Sequence, residues 1–160
     1  MNVFILSTGR CGSTTFMMAA RHIRNFTSGH ETNIARLGSQ RLDYPARHIE
    51  SDNRLSWLLG RLDRKYGDAA RYVHLTRDKE KVVESFVRRM NPGQILPAYI
   101  KGIHAGLVPG MTVQEAAADY YGTVNENIRL FLKDKTHAMD FRLEEAREHW
   151  PRFWDWIGAE

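Results

Sequence analysis

Val3-Phe4-Ile5-Leu6-Ser7-Thr8-Gly9-Arg10-Cys11-Gly12-Ser13-Thr14-Thr15 is the stretch whose reading decides the fold of this chain. Its first four residues form a short, continuous apolar run, which predicts a buried strand over Val3–Leu6. Ser7 to Thr14 is small and polar and carries two glycines, so it reads as a loop. From Thr14 to Arg24 the apolar residues Phe16, Ala19, Ala20 and Ile23 recur at helical spacing, which predicts a helix with one buried face. Strand, tight loop and helix in this order place the start of a helix directly above a strand end. There the first amides lack backbone acceptors and the dipole is positive, so anions bind. Gly9 and Gly12 let the backbone approach a ligand closely. Arg10 adds a permanent charge with forked donor geometry, and Ser13, Thr14 and Thr15 add hydroxyl donors. The pattern differs from the nucleoside-triphosphate loop, which has two glycines five apart followed by Lys and Ser or Thr. Here Gly9 and Gly12 are three apart and Ser13 follows, and the dinucleotide fingerprint is missing too. The plainer alternative is a tight turn with ordinary capping hydroxyls.

Working outward, Arg47–Glu50 is a second strand candidate, and Ser51–Tyr66 reads as an amphipathic helix with Leu55, Leu58, Leu59 and Leu62 on its apolar stripe and Gly67 as its stop. Arg71–Thr76 is a third strand candidate. Asp78 is placed to cap a following helix whose Val82, Val83, Phe86 and Val87 face the core. Asn91 to Gly110 holds Pro92, Gly93, Pro97, Gly102, Gly106, Pro109 and Gly110 and reads as an irregular lid or binding loop. Thr112-Val113-Gln114-Glu115 has the capping-box pattern and opens a helix through about Leu132. Thr136–Phe141 is the last strand candidate. Leu143–Ile157 is helical apart from Pro151, which is expected to break or kink it. Strands alternating with helices predict an α/β fold, a three-layer arrangement with a parallel sheet and flanking helices, in one domain over residues 1–160. Ligands of such sheets gather at the carboxyl ends of the strands.

Composition narrows the function. The chain has 160 residues, 42% of them hydrophobic, which suits a single core. No apolar run approaches the roughly 20 residues of a membrane span, and Met1–Ser7 lacks the basic start and cleavage site of a signal peptide. The one cysteine, Cys11, allows no internal disulfide and fits a reducing, cytoplasmic setting. A net charge of +4 favours an anionic partner. Lys and Arg are scattered among acids, without a basic run interleaved with aromatics, so a compact charged nucleotide is expected rather than nucleic acid. The seven histidines are dispersed and show no metal-ligand spacing, so no metal is expected. Oligomeric state is left open.

Thr8-Gly9-Arg10-Cys11-Gly12-Ser13-Thr14 resembles the 5′-phosphosulfate loop of sulfotransferases that use 3′-phosphoadenosine 5′-phosphosulfate (PAPS). In that family a Lys or Arg precedes a small residue, Gly and two Ser/Thr residues, the places held here by Arg10, Cys11, Gly12, Ser13 and Thr14. Arg71-Tyr72-Val73-His74-Leu75-Thr76-Arg77-Asp78 is similar to the family's second motif, in which an Arg at a strand end and a Ser eight positions on bind the donor's 3′-phosphate. Arg77 and Ser85 have that spacing. The resemblance covers about residues 3–88. Lys79 stands where a Pro often follows the Arg-Asp pair, and the C-terminal Arg-Lys-Gly clamp of cytosolic members is missing.

The resemblance implies a P-loop-like sulfotransferase fold and transfer of a sulfuryl group from PAPS to a hydroxyl or amine of a small molecule or glycan. The product is then 3′,5′-adenosine diphosphate. Arg10 is expected to stabilise the leaving phosphate and the sulfuryl group. The acceptor must lose a proton, which calls for a base. Glu31 is the first candidate, because Gly29-His30-Glu31 resembles the carboxylate segment that several families of this fold carry soon after the first helix. Glu50, at the end of a strand candidate, is the second, and His30, His48 and Asp52 follow. Cys11 as a nucleophile, Lys101 and His104 facing an acceptor, and Trp150, Phe153, Trp154 and Ile157 as an acceptor platform are minor expectations beside loop, surface and core roles. Two further functions stay open: a small nucleoside or nucleotide kinase-like enzyme with Asp140 holding magnesium, and a non-catalytic nucleotide-binding module.

Overall fold

The computed structural model describes residues 1–91 and 94–160. Its centre is built by two strands, the apolar run Val3–Leu6 (β1) and the mixed segment Arg71–Thr76 (β4), which form as expected. All four residues of β1 are 0% exposed, because a parallel strand is covered on both faces. His48–Ser51 (β3) begins one residue later than expected and is fully buried despite its polar side chains. Thr27–His30 (β2) was not foreseen. Thr-Ser-Gly-His carries no apolar run or alternation, and it forms a partly exposed edge strand by pairing with β3. Ala138–Arg142 (β5) starts two residues later than expected. The five strands are parallel in the order β2-β3-β1-β4-β5. From β1 the chain runs outward to β2, returns to β3, and then crosses to β4 and β5. The loop after β1 therefore sits where the strand order reverses, the usual position for a ligand crevice.

Helices cover both faces. Ser13–Ala20 (α1) ends four residues short of the expectation, and Ala146–Ile157 (α6) lies on the same side, where Phe16 meets Phe141 and Phe153 edge-on. On the other side Phe4 packs against Tyr66 of Leu59–Tyr66 (α2), and Tyr72 packs against Phe131 of Val113–Leu132 (α5). The helix expected over Ser51–Tyr66 is two pieces. Ser51 belongs to β3, Asp52 caps a 3₁₀ turn at Asn53–Trp57 through the Arg54 amide, and Leu58 (φ −121°) leaves helical geometry before α2. Lys79–Val87 (α3) is capped by Asp78 as expected, but Val87 is 39% exposed rather than in the core.

The stretch read as irregular contains a helix, Ile95–Gly102 (α4), with Leu96, Tyr99 and Ile100 buried. Pro97 is its third residue, where an amide has no intrahelical acceptor to lose. Pro92 and Gly93, two of the breakers in that reading, lie outside the described residues. The capping box of α5 is present, with Thr112 and Glu115 bonding each other's amides. Pro151 does not end α6. Pro151 and Arg147, whose carbonyl loses its partner, are both exposed, where the lost bond costs least because solvent can reach the carbonyl. Phe153 (0% exposed) and Ile157 (3%) anchor the helix in the core, so these two members of the Trp150, Phe153, Trp154 and Ile157 cluster have a core role, while Trp150 and Trp154 are half-buried. Among the described residues no helix is long and apolar enough to cross a membrane.

Candidate functional site

Gly9 (φ 81°), Arg10 (59°) and Gly12 (85°) turn the chain from β1 into α1 in the left-handed region. Gly12 also has no room for a side chain, since a Cβ there would lie 2.8 Å from Leu143 Cδ1. Gly9 N donates to Ser7 Oγ (3.1 Å), Tyr120 OH on α5 donates to the Thr8 carbonyl (2.8 Å), and Ser56 Oγ donates to the Ser7 carbonyl (3.2 Å). Buried bonds from two other elements thus fix the loop before any ligand arrives. Gly12 is the N-cap of α1 and makes no side-chain cap bond. The N-cap position therefore offers no hydroxyl to the first amides of α1.

The second patch of sequence meets this loop. Arg77 Nη1 donates to the Arg10 carbonyl (3.3 Å), and Arg10 Nε donates to Ser85 Oγ on α3 (2.9 Å). Tyr121 OH donates to the Arg77 carbonyl (3.1 Å). Burial, followed by repulsion from Arg89 and Arg77, holds the Arg10 guanidinium below its ordinary pKa. A cation lowered by neighbouring cations is the electrostatic state that a bound anion relieves. Cys11 does not suit a nucleophile. It is 1% exposed, its Sγ lies 3.1 Å from Thr8 Oγ1, and burial pushes its thiol up to about 11. It fills space under the turn.

Two cavities flank the contact. A cleft of about 140 Å³ is lined by Gly9, Arg10, Ser13, Thr14, His30, Glu31, Asn53, Arg54, Phe86, Gln94 and Ile95. A second, of about 440 Å³ at the ends of β4 and β5, is lined by His74, Thr76, Arg77, Asp78, Lys79, Tyr121, Arg129, Asp140 and Arg142. Thr15 lines neither.

The carboxylates separate cleanly. Glu31 faces the cleft from a left-handed position (φ 56°), and its Oε1 accepts from Arg54 Nη1 at 2.9 Å. His30 Nε2 lies 3.2 Å from Ser13 Oγ. Glu50 is 0% exposed, and its oxygens take the amide and hydroxyl of Thr32 and face His48. It does not line the cleft, so it is in no position to receive an acceptor's proton. Asp52 is buried in an ion pair with Arg41, and His48 is buried between Thr27 and Glu50. His104 lines a separate, more apolar cavity of about 320 Å³ beyond the far end of α4, with Leu107, Met111 and Asp119, and Lys101 is exposed. Asp140 has a side chain 85% exposed, 3.5 Å from His74. Among the described residues no three His, Cys, Asp or Glu side chains gather as metal ligands would.

No family model matches this sequence, and no curated protein sequence matches it at a significant level. Comparison with solved structures does find matches. The "sulfotransferase domain from the curacin biosynthetic pathway" superposes with a TM-score of 0.70 over 99% of this chain and 74% of that one, at 15% sequence identity. The chain has a sulfotransferase-like fold. A likeness at 15% identity reaches the fold and no further.

Several cleft residues escaped the sequence. Asn53 and Arg54 follow β3, and Arg142 ends β5. The rule that ligands gather at strand ends would have singled them out had the strand limits been known. Arg129, Tyr121 and Phe86, and Gln94 at the N-cap of α4, carried no comparable signal, because each is brought in by a helix whose packing the sequence does not specify.

Proposed function

We propose that the chain is a PAPS-dependent sulfotransferase. The observation that carries this reading is the Arg77–Arg10–Ser85 contact, with its bonds of 3.3 and 2.9 Å. It joins the anion-binding turn after β1 to the second basic patch, as a ligand phosphorylated at both ends would require. The 5′-phosphosulfate lies at the α1 amides with Arg10, Ser13 and Thr14, and the 3′-phosphate lies with Arg77 and Ser85. Lys79, Arg129 and Arg142 stand around the adjoining cavity and supply cations on the side where the family's Arg-Lys-Gly clamp is missing.

In the reaction the acceptor oxygen or nitrogen attacks sulfur, and the bond from sulfur to the 5′-phosphate oxygen breaks. The electron pair leaves with the phosphate as 3′,5′-adenosine diphosphate. Glu31 takes the acceptor's proton, with His30 on the same wall of the cleft. Arg10 and the fixed amides stabilise charge as it shifts from the sulfuryl oxygens to the leaving group, the task that preorganised donors perform in related transfers.

Titration calorimetry with 3′,5′-adenosine diphosphate, followed by transfer of labelled sulfate from PAPS to a panel of hydroxyl and amine acceptors, tests the proposal. Saturable binding at one site and a labelled product are expected. Binding without product across the panel supports the non-catalytic module, and magnesium-dependent ATP binding that displaces PAPS supports the kinase.

A further inference from the structure

Side chains two apart on an extended chain point the same way, and the end of β3 carries two carboxylates at that spacing, Glu50 and Asp52. Both are 0% exposed. Glu50 Oε1 accepts from Thr32 N at 2.9 Å, and Oε2 accepts from Thr32 Oγ1 at 2.6 Å and lies 2.9 Å from His48 Nε2. Asp52 Oδ1 accepts from Arg54 N at 2.8 Å, while its other oxygen pairs with Arg41. Thr32 follows Glu31 directly, so the two buried acids grip the backbone beside Glu31 and at Arg54. Those residues form the ion pair at the cleft.

The Glu31 turn needs such a grip. A non-glycine residue at φ 56° is held there only when its surroundings over-determine it. Glu31 N donates to the Ser51 carbonyl (3.0 Å) on one side, and Glu50 holds Thr32 on the other. Gly29 completes the fit, since a Cβ there would lie 2.0 Å from Thr32 Oγ1 and 2.9 Å from Glu50 Oε2. Burying a carboxylate is costly unless its oxygens are satisfied, and Glu50's are satisfied largely by this turn.

We infer that Glu50 is a positioning residue: through Thr32 it holds the strained Glu31 turn at the cleft, and Asp52 does the same for Arg54. The catalytic part of this inference rests on Glu31 being the base; the brace itself does not. Thr32 is exposed, so Thr32→Val removes one donor to Glu50 Oε2 at nearly constant side-chain volume, leaving His48 on that oxygen, and Thr32→Ser retains it. Thr32→Val is expected to lower kcat for sulfate transfer about 10-fold, the effect of one lost bond to a charged group. KM for PAPS and affinity for 3′,5′-adenosine diphosphate should stay unchanged. Thr32→Ser should restore kcat. Amide hydrogen exchange at Glu31 should speed up in Thr32→Val and not in Thr32→Ser.

Exchange and kcat in Thr32→Val that match wild type overturn the brace, and faster exchange with unchanged kcat overturns its catalytic role. Glu50→Gln that loses transfer while Thr32→Val keeps it makes Glu50 itself the reacting group, against this inference. Faster exchange in a wild-type background that transfers no sulfate keeps the brace and removes the reaction, so the two failures are told apart.

Discussion

The cavities on the two sides of the Arg77–Arg10 contact differ in size and in charge. On the β2–β3 side the cleft is about 140 Å³ and sets Glu31 and His30 beside Arg10. On the β4–β5 side the space is about 440 Å³ and sets Arg77, Lys79, Arg129 and Arg142 against Asp78 and Asp140. The small side pairs a cation with a proton acceptor, which is what transfer of a group and loss of a proton need. The large side collects cations, which is what holding a charged nucleotide needs. Under the proposed function, gripping and reacting fall to different strands, and the common wall of the two cavities is a loop whose shape is fixed by buried bonds.

That division can be broken by substitution. The largest effect is expected from Arg10→Ala, which removes charge stabilisation at the reacting end. It should lower kcat by roughly 100- to 1000-fold, as loss of one preorganised donor does, with a smaller change in affinity for 3′,5′-adenosine diphosphate. Steady-state kinetics beside calorimetry separates the two, and an Arg10→Ala protein that loses only affinity would merge the two sides. Next comes Arg77→Ala. It should weaken binding of 3′,5′-adenosine diphosphate roughly 10- to 100-fold, the worth of a charge-assisted bond, while kcat at saturating PAPS changes less. Binding that is equally tight in this variant places the 3′-phosphate elsewhere.

The smallest effect belongs to the shared wall. Cys11 has its thiol raised to about 11 from 9.0 by burial, so the folded state favours the neutral form. The associated stability is fully present below pH 9 and is lost as pH rises towards 11. The loss is on the order of 2 kcal/mol. Denaturant unfolding across that range should show a steeper decline in wild type than in Cys11→Ala, which keeps the decline due to the buried tyrosines Tyr44, Tyr72 and Tyr120, and native Cys11 should resist alkylation near neutral pH. Rapid labelling there would mean that the wall opens.

How much of this was legible depended on what each residue's neighbours are. β1 was read to the residue because it is apolar throughout, as a strand covered on both faces usually is, and β4 because Tyr72, Val73 and Leu75 mark it despite His74. The capping box of α5 and the Asp78 cap of α3 were equally plain, since each is a local bond over three residues. Edge strand β2 was invisible, because its Thr-Ser-Gly-His is held by β3 rather than by its own pattern. Helix α4 was hidden by Pro97, a breaker in an interior but harmless in a first turn. In the site, Gly9–Thr14 and Arg77 were flagged from the chain alone, and Glu31 was ranked ahead of Glu50 only on a resemblance, whereas the fold sets the first at the cleft and encloses the second.

The sequence by itself determined the β1 run, the glycine turn with its adjacent cation, and the alternation of strands and helices that makes a parallel sheet. These follow from steric and hydrophobic rules acting over a few residues. Only the tertiary structure decided that Arg77 and Ser85 meet Arg10, that Arg129 and Arg142 share one cavity with Arg77, and that Glu50 is enclosed against Thr32 rather than lining the cleft. The reason is physical: these relations join residues tens of positions apart, and their distances are set by strand order and helix packing, which no local pattern encodes.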